Sequence, residues 1–212
     1  MVMKTRIFSV LLGMFTLLNA ALFAQNTTTR TLPAFDKIAI SGGYEKVTLK
    51  EGSAESVTIE ADGINPDDVI TEVKGSTLKI GMKKGWYKNG KINISVTYRA
   101  LRELSNSGSS DIVAATPIKG DYFEFNSSGS GDFTGGFDVK NLEVNISGSS
   151  DMKLSGKAEK QAIAISGSGD IDAKELSGSE ASVAISGSGD VALHVSGSVQ
   201  TSVSGSGKVR NH

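Results

Sequence analysis

Ser166-Gly167-Ser168-Gly169-Asp170-Ile171, answered 20 residues later by Ser186-Gly187-Ser188-Gly189-Asp190-Val191, is the stretch whose reading decides the fold. The phrase also stands at 107–112 as Ser-Gly-Ser-Ser-Asp-Ile, at 128–133 as Ser-Gly-Ser-Gly-Asp-Phe and at 147–152 as Ser-Gly-Ser-Ser-Asp-Met. A sixth copy at 204–209 reads Ser-Gly-Ser-Gly-Lys-Val, with Lys208 where the others carry aspartate. Successive copies begin 21, 19, 19, 20 and 18 residues apart. A near-constant period of this length is what stacked structural repeats leave in a sequence.

Between the phrases the parity of the chain shows how each repeat is built. From Val183 to Val209 every odd position is Val, Ile, Leu, Gly or Thr, and the even positions are mostly Ser, Ala, Gln, Asp and Lys. Side chains on a strand alternate between faces, so one face is apolar or glycine and the other polar. Leu142, Val144 and Ile146, and again Ile163, Ile165 and Ile171, follow the same rule. A second Ser-Gly pair falls midway through the later repeats, at Ser155-Gly156, Ser177-Gly178 and Ser196-Gly197. Glycine there permits tight bends and positive φ. Strands usually run about 3–10 residues, so a 20-residue unit must turn corners and return. Coils stacked about 4.8 Å apart place like residue on like residue. The expectation is all-β: a parallel β-helix, or solenoid, whose inward Val, Ile and Leu form continuous ladders that no single coil could bury.

The remainder of the chain fits that frame. Over Ile38–Tyr98 short alternating strands are separated by turns at Glu51-Gly52, Asn65-Pro66-Asp67-Asp68, Gly75-Ser76 and Asn89-Gly90. No sustained helical period appears between 25 and 212. Residues 34–212 are read as one domain, with 34–100 a β-strand cap rich in polar aromatics (Tyr44, Trp86, Tyr87, Tyr98) and 101–212 the repeat coils. Lys208, Arg210 and His212 charge the last strand, which protects an open edge from templating aggregation.

The N-terminus is set apart. Lys4 and Arg6 precede an apolar run from Ile7 to Phe23 that ends at Ala24-Gln25, the order of a secretory signal peptide over 1–24. Cleavage is expected after Ala24, or after Ala21 because Leu22 is large for the −3 position. A retained membrane helix is the alternative, and the run is short for one. Residues 25–33, polar and Thr-rich, read as a flexible leader. The mature chain carries 20 basic and 23 acidic side chains, a formal charge of −3, which gives no electrostatic footprint for nucleic acid. It has no cysteine, so disulfides, thiol nucleophiles and a lipid-modified cysteine anchor are all excluded. It also contains no second apolar run long enough to span a membrane.

Chemistry has few places to reside. Asp111, Asp132, Asp151, Asp170 and Asp190 share one repeat position and form a column of carboxylates if the coils are in register. Aspartate after glycine at a bend accepts backbone N–H bonds, and that structural reading outweighs the alternative of cation ligation. The paired serines of each phrase stack as hydroxyl ladders; they make satisfied turns, or else a repetitive polar face for a regular ligand such as glycan or ice. The histidines are His194, on the outer face, and His212, and neither has a specified partner for a triad. No Gly-Lys-Ser/Thr follows the glycines, so they are not phosphate loops. No catalytic residue, cofactor or metal is assigned.

The order of Ile38-Ala39-Ile40-Ser41-Gly42-Gly43, Val57-Thr58-Ile59-Glu60-Ala61-Asp62, Leu78-Lys79-Ile80 and the Ser-Gly-Ser repeats resembles the head GIN domain family of putative auto-transporter adhesins, over about residues 34–210. The resemblance implies a right-handed β-helix related to pectin-lyase-like folds, bacterial export, and adhesion without catalytic residues. It supplies no binding residues. The expected function is therefore a non-enzymatic adhesion or binding module of the cell envelope, periplasmic, outer-membrane-associated or extracellular, with an envelope protein or glycan as partner. The alternatives are a carbohydrate-active enzyme on a β-helix scaffold and a structural spacer.

Overall fold

A computed structural model describes residues 26–85 and 90–212. The expected signal peptide lies outside the described residues, as do Trp86, Tyr87 and Asn89 of the expected cap. Among the described residues no helix is long and apolar enough to cross a membrane.

The molecule is a β-solenoid of about 6 turns, its coils about 19 residues apart. Each Ser-Gly phrase is a corner between two strand arms. The arm before the corner, here arm A, comprises β8 (Glu103–Asn106) and the C-terminal parts of β10 (Ile118–Ser127), β11 (Phe133–Ile146), β12 (Met152–Ile165), β13 (Ile171–Gly187) and β14 (Val191–Gly205). The arm after it, arm B, comprises β9 (Ile112–Ala114), the first residues of β11 to β14, and β15 (Val209–Asn211). A third, short arm runs through 118–120, 137–139 and 156–158. All three pair in parallel, so the long strands are single ribbons bent round the corners.

The register accounts for the parity of the sequence. Along arm A, Leu104, Phe125, Val144, Ile163, Val183 and Thr201 stack in one column. Along arm B the column is Ile112, Phe133, Met152, Ile171, Val191 and Val209. Both columns point into the lumen, where all but the last member of each is buried. The lumen is widest at the first repeats, where Phe123, Phe125, Phe133 and Phe137 fill it. Their ring centroids are 5.0 to 6.0 Å apart with tilted planes, the spacing at which aromatic pairs gain beyond simple burial.

The N-terminal region differs from the expected cap. β2 (Lys37–Ile40) and β3 (Lys46–Glu51) form a regular coil that pairs in parallel with β8 and β9. On its other side lie β6 (Thr77–Met82) and β7 (Lys91–Tyr98), again parallel. The stack therefore begins with β6–β7, passes to β2–β3 and then to β8–β9, an order that is not that of the chain. Closure is made by antiparallel strands: β5 (Val69–Lys74) on β6, and β4 (Ser56–Asp62) on β7. A 3-10 turn, Pro66–Asp68, precedes β5, and the side chain of Asn65 caps it by accepting the Asp67 N–H. The segment expected to be a flexible leader is strand β1 (Asn26–Thr31), antiparallel to β4. Arg30 holds it: Nη1 donates to the carbonyl of Val69 (2.6 Å) and to Thr71 Oγ1 (2.9 Å), and Nη2 donates to the carbonyl of Pro66 (2.8 Å).

The corner glycines serve close approach more than positive φ. A Cβ on Gly129 would strike the carbonyl of Gly108, one on Gly148 that of Gly129, and one on Gly167 that of Gly148. Each coil can settle on the one below because nothing projects at that point. The serine N–H two residues after the phrase opens then reaches the same carbonyl, as Ser149 does to Gly129 (3.2 Å) and Ser168 to Gly148 (3.1 Å).

Candidate ligand-binding face

The five aspartates do form a column, and the coils use it. Asp111 Oδ1 accepts the backbone N–H of Asp132 (3.2 Å), Asp132 that of Asp151 (3.0 Å), Asp151 that of Asp170 (2.9 Å) and Asp170 that of Asp190 (2.7 Å). Asp190 accepts from Lys208 N–H at 2.8 Å. One oxygen of every carboxylate is thus committed to the next coil. Lys208 is the last member of this column, with no described coil beyond it whose N–H needs an acceptor, so a carboxylate there would have no such role. Among the described residues, no group of three or more His, Asp or Glu comes together to hold a metal ion. Whether a single Asp oxygen meets a cation is a separate question, which the column's geometry does not require.

The phrase serines and His194 are exposed, as the parity predicts. Ser107 Oγ donates to the carbonyl of Ile40 (3.2 Å), and the other buried member of that first phrase, Ser110, donates to the carbonyl of Gly42 (3.2 Å). Ser127 and Ser150 share a hydrogen bond at 2.7 Å inside the corner. These hydroxyls stitch coils together. His194 Nδ1 lies 3.0 Å from the carbonyl of Lys174, with no acid or hydroxyl partner.

The outer face of arm A carries a set of residues that reading by motif did not single out. Glu103, Glu124 and Glu143 stack in one column, with Lys37 Nζ bonded to Glu103 at its end. Ser105, Asn126 and Asn145 form the neighbouring column. Asn145 Nδ2 donates to Asn126 Oδ1 and to Glu143 Oε1, both at 3.1 Å, and Asn126 Nδ2 donates to Glu124 Oε1 at 2.8 Å. Tyr122 Oη reaches Glu143 Oε2 (2.8 Å) and Glu124 Oε2 (3.2 Å). Desolvation and these two carboxylates hold the Tyr122 phenol well above its ordinary value. The signal was present in sequence: Glu-x-Ser/Asn-x-Ser leads directly into the phrase at 103–107, 124–128 and 143–147. It escapes notice because the later coils place Ala162, Ser182 and Gln200 in the glutamate column.

This face is concave. A depression of about 720 Å³ lies over its N-terminal part, floored by Ser105, Asn126 and Asn145 and walled by Ile70 and Met82 from the capping strands. A second, of about 460 Å³, continues along the same arm over Ala164, Ala184, Ser166 and Ser186. A third, of about 420 Å³, lies beside Tyr122, Glu143, Lys160 and Glu180. Together they make a shallow trough that crosses successive coils, amide and carboxylate at one end and small, flat side chains at the other.

Comparison with known proteins agrees with this architecture. The family model described as putative auto-transporter adhesin, head GIN domain, matches residues 34–212. A putative adhesin from Bacteroides fragilis superposes with a TM-score of 0.74 at 21% identity, over 89% of this chain and 97% of that one. A putative adhesin from Parabacteroides distasonis gives 0.74 at 19% identity, over 90% and 98%. A putative lipid binding protein from the same species gives 0.65 at 22% identity, over 88% and 97%. Likeness at these identities shows the fold alone. No curated protein matches the chain.

Proposed function

The chain belongs to the head GIN domain family of putative auto-transporter adhesins, and on that premise we propose that it is an exported, non-enzymatic binding module of the bacterial cell envelope. Its contact surface is the trough on the outer face of arm A. The observation that carries this reading is the Glu124–Asn126 and Glu143–Asn145 ladder, presented at the coil spacing over a depression of about 720 Å³. Carboxylates accept and amides both donate and accept, so the pair suits vicinal hydroxyls. Ile70, 38% exposed, and Met82 offer an apolar wall for the face of a sugar ring. An extended, hydroxyl-rich polymer such as an envelope glycan fits a trough that repeats with the coils.

Catalysis finds less support. Glu124 and Glu143 share Tyr122 and resemble the carboxylate pair of a glycoside hydrolase. Their outer oxygens, however, are bound to Tyr122 and their inner ones to Asn126 and Asn145. A phenol held above its ordinary value near 10 is a poor general base at neutral pH.

A glycan array and an envelope pulldown on residues 25–212 test the proposal, with Asn126→Ala/Asn145→Ala as the matched variant. Retention of a glycan by the parent, weakened about tenfold or more in the variant, is the expected result. Turnover of a polysaccharide without any retained partner sinks the adhesion reading and favours the carbohydrate-active enzyme.

A further inference from the structure

The C-terminal end of the solenoid is closed over one arm and open over another. On arm B, β15 pairs with Val191–Leu193, and His212 N–H continues to the Leu193 carbonyl (3.0 Å). Beyond it the Asn211 side chain imitates one more strand residue, accepting from Val195 N–H and donating to the Val195 carbonyl, both at 2.8 Å. The closure stops there. Along arm A, residues 198–205 pair with β13 on one side, and no described residue lies on the other. The lumen column surfaces here: Val203 is 43% exposed, and Val199 and Thr201 lie beside it uncovered. The stretch Ser-Val-Gln-Thr-Ser-Val-Ser-Gly contains no charge, proline or bulge, the devices that usually blunt an edge. Lys208, Arg210 and His212 guard arm B alone, which corrects the expectation that they protect the whole end. At the opposite end the edge strand β5 carries Glu72 and Lys74, paired at 3.0 Å.

We propose that this edge takes a second copy of the same chain, with residues 198–205 of the two copies pairing antiparallel about a two-fold axis at Thr201. The register is self-complementary. A two-fold at Thr201 sets Val199 opposite Val203 and Thr201 opposite itself, all on the lumen face. It sets Ser198 opposite Ser204 and Gln200 opposite Ser202 on the outer face. Residues directly opposite in an antiparallel pair share a face, so the lumens of the two copies join into one core. No like charges meet along the strand. The end face is the 15-residue ribbon of β14. At about 3.3 Å per residue and roughly 10 Å of sheet thickness it buries roughly 500 Å² per copy, or about 1,000 Å² in all. That is the lower bound for a specific interface, so a reversible dimer is expected. A two-fold contact uses the same patch on both copies and stops at two.

Sedimentation velocity on the purified chain, together with single-cysteine cross-linking, tests the pairing; the absence of native cysteine makes the second readout clean. The expected result is a dimer at tens of micromolar that dissociates on dilution. Thr201→Lys should weaken it at least tenfold while leaving the melting curve in place, because the side chain is exposed. Oxidised Thr201→Cys should form a disulfide-linked dimer, and Ser182→Cys, one coil inward on the outer face, should not. The proposal is overturned by a monomer at every concentration, by a dimer that survives Thr201→Lys, by equal cross-linking at 201 and 182, or by polymers that grow beyond two.

Discussion

At the scale of the residue, the Ser-Gly-Ser-Gly-Asp phrase is a contact written for the coil above and the coil below. Glycine is needed because the next backbone passes where a Cβ would be, and aspartate because the next N–H lacks another acceptor. Gly148→Ala therefore places a methyl against the Gly129 carbonyl and forces two coils apart. Overpacking of this kind costs typically 1–3 kcal/mol, and with backbone as the obstacle about 3 kcal/mol is expected in urea or thermal melts. Gly75→Ala serves as a control of a different kind: nothing lies near its Cβ, and its cost comes from its φ of 62° alone. The positions of these residues were legible in the sequence, because the period marks them. Their reasons were not, since each partner sits one period away and a lone phrase reads as an ordinary turn. The Glu-Asn ladder was harder still. It occupies three coils and then gives way to small residues, so periodicity dilutes it.

At the scale of the element, β1 shows how composition can mislead. Asn-Thr-Thr-Thr-Arg-Thr has no apolar residue and reads as unstructured. It is a strand because β4 offers an edge in register, with Thr28 opposite Ile59, and because Thr29 and Thr58 share a hydroxyl bond at 2.9 Å. Threonine is β-branched and fits such a surface. Arg30 then ties the strand to the turn before β5 through three carbonyl or hydroxyl acceptors. Hydrogen bonds from charged donors contribute about 1.5–3 kcal/mol, so Arg30→Ala is expected to cost about 2 kcal/mol. Hydrogen exchange should show faster exchange across 26–31 while strands β9 to β13 keep their protection. Uniform loss across the whole chain would mean instead that the cap and the coils unfold as one unit. The strands of the repeats were read correctly from alternation. The non-sequential placement of β6 and β7 was not, because alternation states which face is buried and says nothing about which neighbour buries it.

At the scale of the whole molecule, the repeat is a unit that can be removed. Ile146 and Ile165 occupy equivalent places, as do Ser147 and Ser166. Deleting residues 147–165 joins Ile146 to Ser166 and returns the chain to register one coil shorter. Stability in such arrays is close to a sum over coils and their interfaces, so the shortened protein should fold with less stability and keep its β-type circular dichroism. Deleting 147–156 instead breaks the register and turns every following side chain toward the wrong neighbour; loss of the cooperative transition is expected. If both deletions behave alike, the coils are not the independent units that the stack implies.

The placement of β6–β7 outside β2–β3 also orders the molecule in time. A chain emerging N-terminus first makes β2–β3 before either of its neighbours, so its first finished coil has two free sides. The next residues to emerge, through Tyr98, cover one of them and are themselves closed by β4 and β5. When the Ser-Gly repeats arrive, a single template edge is left to them, and each coil can be laid down in one direction without searching for its place. The odd topology of the first hundred residues thus acts as a starter block that gives the later, nearly identical coils their counting origin.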